Sequence, residues 1–368
     1  MGEFARCAAI ARAVLGRWPG AQVHFVLSRE APYAAQVGFP ATWLASSATF
    51  HSAAVIDLLR TWRPHVVVFD NAGRGAQLQA ARRLGARIVY ISARRRQRRK
   101  AFRLNWMRMI DEHWIAYPKF IAGELRGFER LKLELLRRPA VRYLDVIFPG
   151  LAAPPGTAMT DVAEPRNPAT NVDTMEVAAP GAYPVPAAAP VADDVLVVPG
   201  GGTGHPGSSD AMEQFLSAAR RLAARGFTTR FVGPASIVAQ APSTAHFHAV
   251  QTMPQSQLAQ LMRGARLVVV NGGSTLLQSI ACGAACVAAP IARDQLERIR
   301  RCAKAGVAVE ADLRATDIEA QAAALLRDEP ARAALARRAA GLALADGLEV
   351  ALAALGKFVD DAGSLPEQ

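Results

Sequence analysis

The stretch from Arg266 to Gln295, RLVVVNGGSTLLQSIACGAACVAAPIARDQ, restricts the folds open to this chain more than any other. Leu267 to Asn271 reads as a strand buried on both faces, Gly272 and Gly273 break it, and Ser274 to Cys282 carries apolar residues at helical spacing until Gly283 stops it. A second apolar run, Ala285 to Ile291, ends in a polar tip of Arg293, Asp294 and Gln295. Strand, glycine turn, helix and strand in that order form one βαβ unit of a parallel sheet.

Two glycines let the chain turn tightly and let a ligand approach the amides of Gly273, Ser274 and Thr275. Those amides are the unpaired donors of a helix N-terminus, where the helix dipole also favours an anion, so a diphosphate suits the place. The polar tip lies at the same carboxyl edge, where open α/β sheets bind ligands. An ordinary βαβ unit with a glycine turn accounts for the same residues without a ligand.

The rest of the chain repeats the pattern. The spacing predicts helices over Phe4–Leu15, Ser52–Trp62 and Gln77–Leu84, alternating with strands over Val23–Leu27, His65–Asp70, Ile88–Ser92 and Trp114–Tyr117. From Leu151 to about Ala192 the composition turns to Pro, Ala, Thr and Val, which predicts a linker. The second half restarts at Val195 with VLVVPGGGTGHPGSS, a strand running into a glycine-rich loop. A helix over Asp210–Ala224, strands over Thr228–Val232 and Phe247–Gln251 and a helix over Gln255–Met262 follow, with further helices over Ile318–Leu326 and Ala331–Val359. Gly200 to Gly207 lacks the Gly-Lys-Ser/Thr ending of a Walker loop, yet with Gly272-Gly273-Ser274 it makes a pair of loops able to grip one diphosphate. His205 sits in that loop as a further polar group.

The 368 residues suit two domains, and 51% hydrophobic with 20% charged residues describe a globular chain. No run approaches the roughly 18 apolar residues that a membrane span needs. Cys7, Cys282, Cys286 and Cys302 have no zinc or redox spacing and read as reduced core thiols of a cytosolic protein. The net charge of +12 lies in the first half: Met1 to Gly150 carries a balance of +15 and the remainder −3. The first half is therefore expected to meet something anionic. Arg94 to Arg103, RRRQRRKAFR, holds seven basic residues in ten, and Leu104, Trp106, Met107 and Ile110 follow. Basic residues beside an aromatic-aliphatic helix suit an anionic membrane face; nucleic acid ranks behind it, and a solvated loop is the plain alternative.

Asn271-Gly272-Gly273-Ser274-Thr275, Ala281-Cys282-Gly283 and Pro290 to Gln295 resemble the donor-binding half of GT-B glycosyltransferases. The nearest types are the family 28 enzymes, of the lipid II N-acetylglucosaminyltransferase kind, and the UDP-sugar hydrolase of pseudaminic acid synthesis. The resemblance implies two Rossmann-like, doubly wound parallel-sheet domains facing a cleft. It divides the chain into an acceptor-binding domain (1–150), a linker (151–192), a donor-binding domain (193–345) and a terminal helix and tail (346–368), with Leu348 to Val359 bracing the first domain. It also places the start of the chain inside the family's first glycine loop, as Gly2-Glu3-Phe4-Ala5-Arg6, so that a strand is missing ahead of it.

The activity implied is metal-independent, inverting hexosyl transfer from a UDP-sugar, with the nucleotide-sugar as co-substrate and no other cofactor. Gly201, Thr203, Gly273, Ser274 and Thr275 would hold the diphosphate, Met253 the base, and Asp294 with Gln295 the sugar. Gln278 stands where the family has a glutamate for the ribose hydroxyls, which removes the charge-assisted hydrogen bonds of that contact. Inverting transfer needs a base, and Glu3, at the position of the family's loop histidine, and Asp70, at a strand end before Asn71-Ala72-Gly73, are the candidates. Leaving-group charge would fall to helix amides and to basic residues such as Arg293. The acceptor would be a glycan, a lipid-linked or another anionic molecule, placing the protein in the cytoplasm or on the inner membrane face. A nucleotide-sugar hydrolase and a non-catalytic binder of nucleic acid or anionic membrane are the competing readings.

Overall fold

The computed structural model describes residues 2–31, 37–149, 151, 194–200 and 208–363. The expected linker, apart from Leu151, and the glycine-loop residues Gly201, Thr203 and His205 lie outside the described residues.

The first half runs α1 (Gly2–Arg17), β1 (Phe25–Ser28), β2 (Ala41–Leu44), α2 (Ser52–Trp62), β3 (Val66–Asp70), α3 (Gly75–Arg83), β4 (Arg87–Ser92), α4 (Arg95–Ala101), α5 (Leu104–Met107), β5 (Glu112–Ile115), α6 (Lys119–Ala122), α7 (Gly127–Leu136) and β6 (Ala140–Tyr143). Strands β3-β4-β5-β6 form a parallel sheet in sequential order, and β1 pairs with β2 as a separate parallel ribbon. The side chains of β4 alternate between two cores, as the two-residue period of a strand requires. Ile88 and Tyr90 join Leu59, Leu78 and Trp106, whereas Val89 and Ile91 join Ile10 of α1 and Trp114 of β5.

The second half runs β7 (Val195–Val198), α8 (Ser208–Ala224), β8 (Thr229–Gly233), α9 (Ala235–Val238), β9 (Phe247–Gln251), α10 (Gln255–Gly264), β10 (Leu267–Asn271), α11 (Ser274–Ala281), β11 (Cys286–Ala289), α12 (Arg293–Lys304), β12 (Val309–Glu310), α13 (Ala315–Arg327), α14 (Glu329–Gly341) and α15 (Gly347–Gly363). Its six parallel strands are ordered β12-β11-β10-β7-β8-β9. The chain builds outward from β7 through β8 to β9, then crosses back to lay β10 on the other side of β7. That reversal is a topological switch point, and the crevice outside it is where doubly wound sheets take ligands. Every residue of β7 and β10 is buried, which explains their uninterrupted apolar runs.

The helix expected over Ala331–Val359 is two helices, α14 and α15, separated around Ala343 (φ 44°). Ala351, Ala354 and Leu355 of α15 enter the core of the first sheet beside Ile10, Trp114 and Leu144. Among the described residues no helix is long and apolar enough to cross a membrane.

Candidate functional site

The site is built around Asn271, the last residue of β10. Its side chain is buried; Nδ2 donates a short hydrogen bond to the Pro199 carbonyl beyond β7, and Oδ1 accepts from the Gly273 amide at 2.7 Å. One amide side chain thus ties the end of β7 to the turn that opens α11. Gly200 (φ +77°) lies so close that a Cβ there would stand 2.7 Å from Asn271 Nδ2 and 3.3 Å from Thr275 Oγ1. Gly272 is equally constrained, since its Cβ would meet Gln295 and Ile299 of α12 at 2.8 Å. The glycines are therefore demanded by packing within the turn, as well as by any ligand.

This geometry gives several of the expected residues partners within the protein. The Gly273 amide is occupied by Asn271, so the open donors at the α11 N-terminus are those of Ser274, which is exposed, and Thr275, which is half-buried. Gln295, expected at the sugar, is buried, and its Oε1 accepts from the amides of Gly272 (3.1 Å) and Ile291 (3.0 Å). Gln278 is the residue expected at the ribose. It lies in the second turn of α11, buried, with Nε2 directed at the Ile147 carbonyl of the first half (3.4 Å). Asp294 remains open, its side chain 67% exposed and 3.7 Å from Arg298. Arg293, at the start of α12, is exposed. Met253 is half-buried in the turn between β9 and α10 and packs into the core beneath it.

The facing edge belongs to the first sheet. Asp70 ends β3, and Arg6 of α1 grips it with two parallel bonds, Nε to Oδ2 at 2.8 Å and Nη2 to Oδ1 at 2.7 Å. Both side chains are nearly buried, at 10% and 6% exposure. Cys7 adds its thiol to Asp70 Oδ2 at 3.5 Å. Burial raises the pKa of Asp70 against the opposing pull of Arg6, and burial likewise pushes the Cys7 thiol up. With both oxygens paired to Arg6 and little of the side chain exposed, Asp70 anchors Arg6 and α1. Glu3 differs: it is exposed, and its Oε1 accepts from Asn71 Nδ2 at 3.0 Å. Asn71 itself holds a left-handed backbone (φ 53°) and accepts from the Ala93 amide at 2.8 Å, fixing Glu3 to the carboxyl edge of β3 and β4.

Arg298 of α12 and Tyr117 beyond β5 join the two edges, and neither was singled out from the sequence. Arg298 donates a short bond to the Gly272 carbonyl and a 3.2 Å bond to the Tyr117 hydroxyl, with its guanidinium 4.7 Å from the ring centroid. The donor turn and the first sheet therefore share one guanidinium. The only trace in the sequence is the i, i+4 spacing of Asp294 and Arg298.

The basic segment also differs from expectation. Trp106, Met107 and Ile110 are buried in the core, and Arg98 is buried too, donating to the carbonyls of Ala122, Gly123 and Glu124 and to Glu129 Oε2 (2.7–3.0 Å). Lys100 donates to the Gly73 carbonyl at 2.7 Å and lies over the Trp106 ring. Arg94, Arg95, Arg96, Arg99 and Arg103 stay exposed. An exposed apolar stripe exists instead on α7, where Phe128, Leu131 and Leu135 repeat at helical spacing.

No family model matches the chain, and no curated protein matches it in sequence. Solved structures do match over nearly the whole length. MurG of Acinetobacter baumannii aligns with 97% of this chain and 96% of its own at 14% identity, with a TM-score of 0.59. The spinosyn rhamnosyltransferase SpnG complexed with thymidine diphosphate aligns over 97% of both chains at 16% identity (TM-score 0.56). A Listeria monocytogenes candidate UDP-N-acetylglucosamine 2-epimerase covers 95% of this chain and 91% of its own at 12% identity (TM-score 0.53). The chain has the GT-B fold, with parallel sheets in two units, of which the second is doubly wound. At such identities the likeness establishes architecture alone.

Proposed function

We propose that the chain moves a sugar from a nucleotide-sugar, a UDP-sugar, to an acceptor held by the basic first half, as an inverting hexosyltransferase. The observation that carries this reading is the pairing of two sheet edges through Arg298 and Tyr117. One edge offers a helix N-terminus at a switch point, and the other an accessible carboxylate, Glu3.

The diphosphate sits at the amides of Ser274 and Thr275, with Gly201 and Thr203 as further diphosphate contacts and Met253 beside the base. Asp294 reaches the sugar. Glu3 takes the acceptor hydroxyl proton as the new glycosidic bond forms and the bond from the anomeric carbon to the diphosphate breaks. The α11 dipole, Arg293 and Arg298 receive the leaving-group charge, so the transfer requires no divalent ion. The neighbour that holds thymidine diphosphate makes a dTDP-sugar the rival donor. The acceptor is anionic or membrane-held and is approached over the exposed arginines of Arg94–Arg103 and the α7 stripe, and the protein works in the cytoplasm at the inner face of a membrane.

Isothermal titration with UDP, GDP and dTDP tests the donor site. Micromolar binding of one nucleotide, lost in Gly273→Trp, supports the reading and names the donor. Absence of binding to all three rejects it.

A further inference from the structure

At the amino edge of the first sheet, away from the cleft, four arginines surround one aspartate. Arg82, Arg87, Arg137 and Arg138 line, with Asp111 and Ala140, an open concavity of about 330 Å³. The parallel register brings them together: Arg87 opens β4, Asp111 immediately precedes β5 and Ala140 opens β6. A six-residue strand separates this edge from the cleft by roughly 20 Å.

Asp111 is already saturated. Its Oδ1 accepts from Arg82 and Arg138 at 2.9 Å each, and its Oδ2 from the Ile88 amide at 2.8 Å and Arg82 at 3.1 Å. Arg87 lies 3.7 Å away, with its guanidinium over the Phe358 ring of α15, and is left out of the count. Three guanidiniums then face one carboxylate, a balance of +2 in one concavity. Arg138 Nε is buried without an acceptor among the described residues, and Arg137 is exposed, its side chain unpaired there. A closed ion-pair network would match charges and donors; this one leaves charge in excess, one buried donor unmatched and the Arg137 guanidinium open to solvent in a concave surface. Forked guanidinium donors match the oxygens of a phosphate.

We propose that this basin binds a phosphate-bearing anion, at a site separate from the cleft and independent of the transferase reading. The phosphate belongs either to a free polyphosphate or to a lipid headgroup, and two arms of one experiment separate them. Inorganic pyrophosphate is titrated into the full chain at low salt, in the Gly273→Trp background so that the glycine turn does not contribute. Vesicles of phosphatidylcholine with and without phosphatidic acid form the second arm.

Arg137→Asn, which tolerates the left-handed backbone at this position (φ 51°), weakens binding about tenfold in whichever arm holds the ligand. Asp111→Asn strengthens it several-fold by removing the one negative charge; if that variant fails to fold, Arg82→Gln, expected to weaken binding like Arg137→Asn, replaces it. Arg327→Gln, exposed in the second half and outside the basin, leaves affinity unchanged. Loss in the pyrophosphate arm identifies a free anion, and loss confined to phosphatidic acid identifies a lipid. A folded Arg137→Asn with unchanged affinity in both arms, or equal loss in Arg327→Gln, overturns the proposal.

Discussion

Asn271→Ala is expected to separate the integrity of the donor turn from that of the core around it. The substitution strands the buried Pro199 carbonyl, which loses its Nδ2 donor, and the half-buried Gly273 amide, which loses its Oδ1 acceptor. At about 1–3 kcal/mol for the buried carbonyl and up to about 1 kcal/mol for the half-buried amide, the variant loses about 1–4 kcal/mol of stability. Val270→Ala, one residue earlier and fully buried, removes two methyl groups and costs about 2–3 kcal/mol through lost burial and the cavity left behind. The two variants therefore overlap in urea denaturation. They separate in nucleotide titration, because only Asn271 holds the β7 end against the α11 turn. Asn271→Ala is expected to weaken nucleotide binding tenfold or more, with Val270→Ala within twofold of the parent. A loss below about 1 kcal/mol in Asn271→Ala, or equal binding losses in both variants, would refute the clamp.

Three further outcomes are expected. Glu3→Gln lowers kcat about 10²–10⁴-fold and leaves stability within about 0.5 kcal/mol, whereas Asp70→Asn strands Arg6 and costs about 3–5 kcal/mol in denaturation; an Asp70→Asn protein of full stability and no activity would return the base role to Asp70. His113 is fully buried against Ser92 Oγ (2.8 Å), and burial, with Arg98 second, lowers its pKa to about 3, below the unfolded value of about 6.5. The unfolded chain therefore binds the proton first, and stability falls as pH drops from about 6.5 toward 3, by about 2 kcal/mol at pH 5; denaturation midpoints across that range check it, and His113→Gln removes this component of the slope. Leu131→Asp with Leu135→Asp is expected to abolish sedimentation with phosphatidylglycerol vesicles; undiminished sedimentation would remove α7 from the membrane reading.

Much of the fold was legible in the sequence because parallel sheets bury both faces, so β7 and β10 appear as unbroken apolar runs. Leu267–Asn271 and Phe247–Gln251 emerge with the boundaries expected of them. Strand β5 was placed too late in the chain, since it opens with Glu112 and His113. Burial of those polar groups depends on partners distant in sequence, Arg142 (2.8 and 2.9 Å) and Ser92. Strands β2 and β6, at four residues each, lack a periodic signal. The site was legible as a place and less so as an assignment. Asn271, Gly272 and Gly273 announce a turn, but not that Asn271 and Gln295 occupy the amides of Gly273 and Gly272. Asp70 looked like a base because nothing in the order of residues shows Arg6 closing on it. The apolar residues after Arg103 looked like a membrane face for a similar reason: the helical period says which side is apolar, not what covers it.

The docking of α15 on the first sheet bears on how the molecule can be taken apart. A fragment ending at Leu151 leaves Ile10, Val89, Trp114 and Leu144 without the Ala351, Ala354 and Leu355 surface that covers them. The complementary fragment from Asp194 onward carries that surface with no sheet to lie on. Neither piece is a self-sufficient unit, so the halves are best regarded as interlocking subunits that happen to share a chain. Proteolysis within 152–193 would yield a nicked pair that stays together in native buffer and parts only in denaturant.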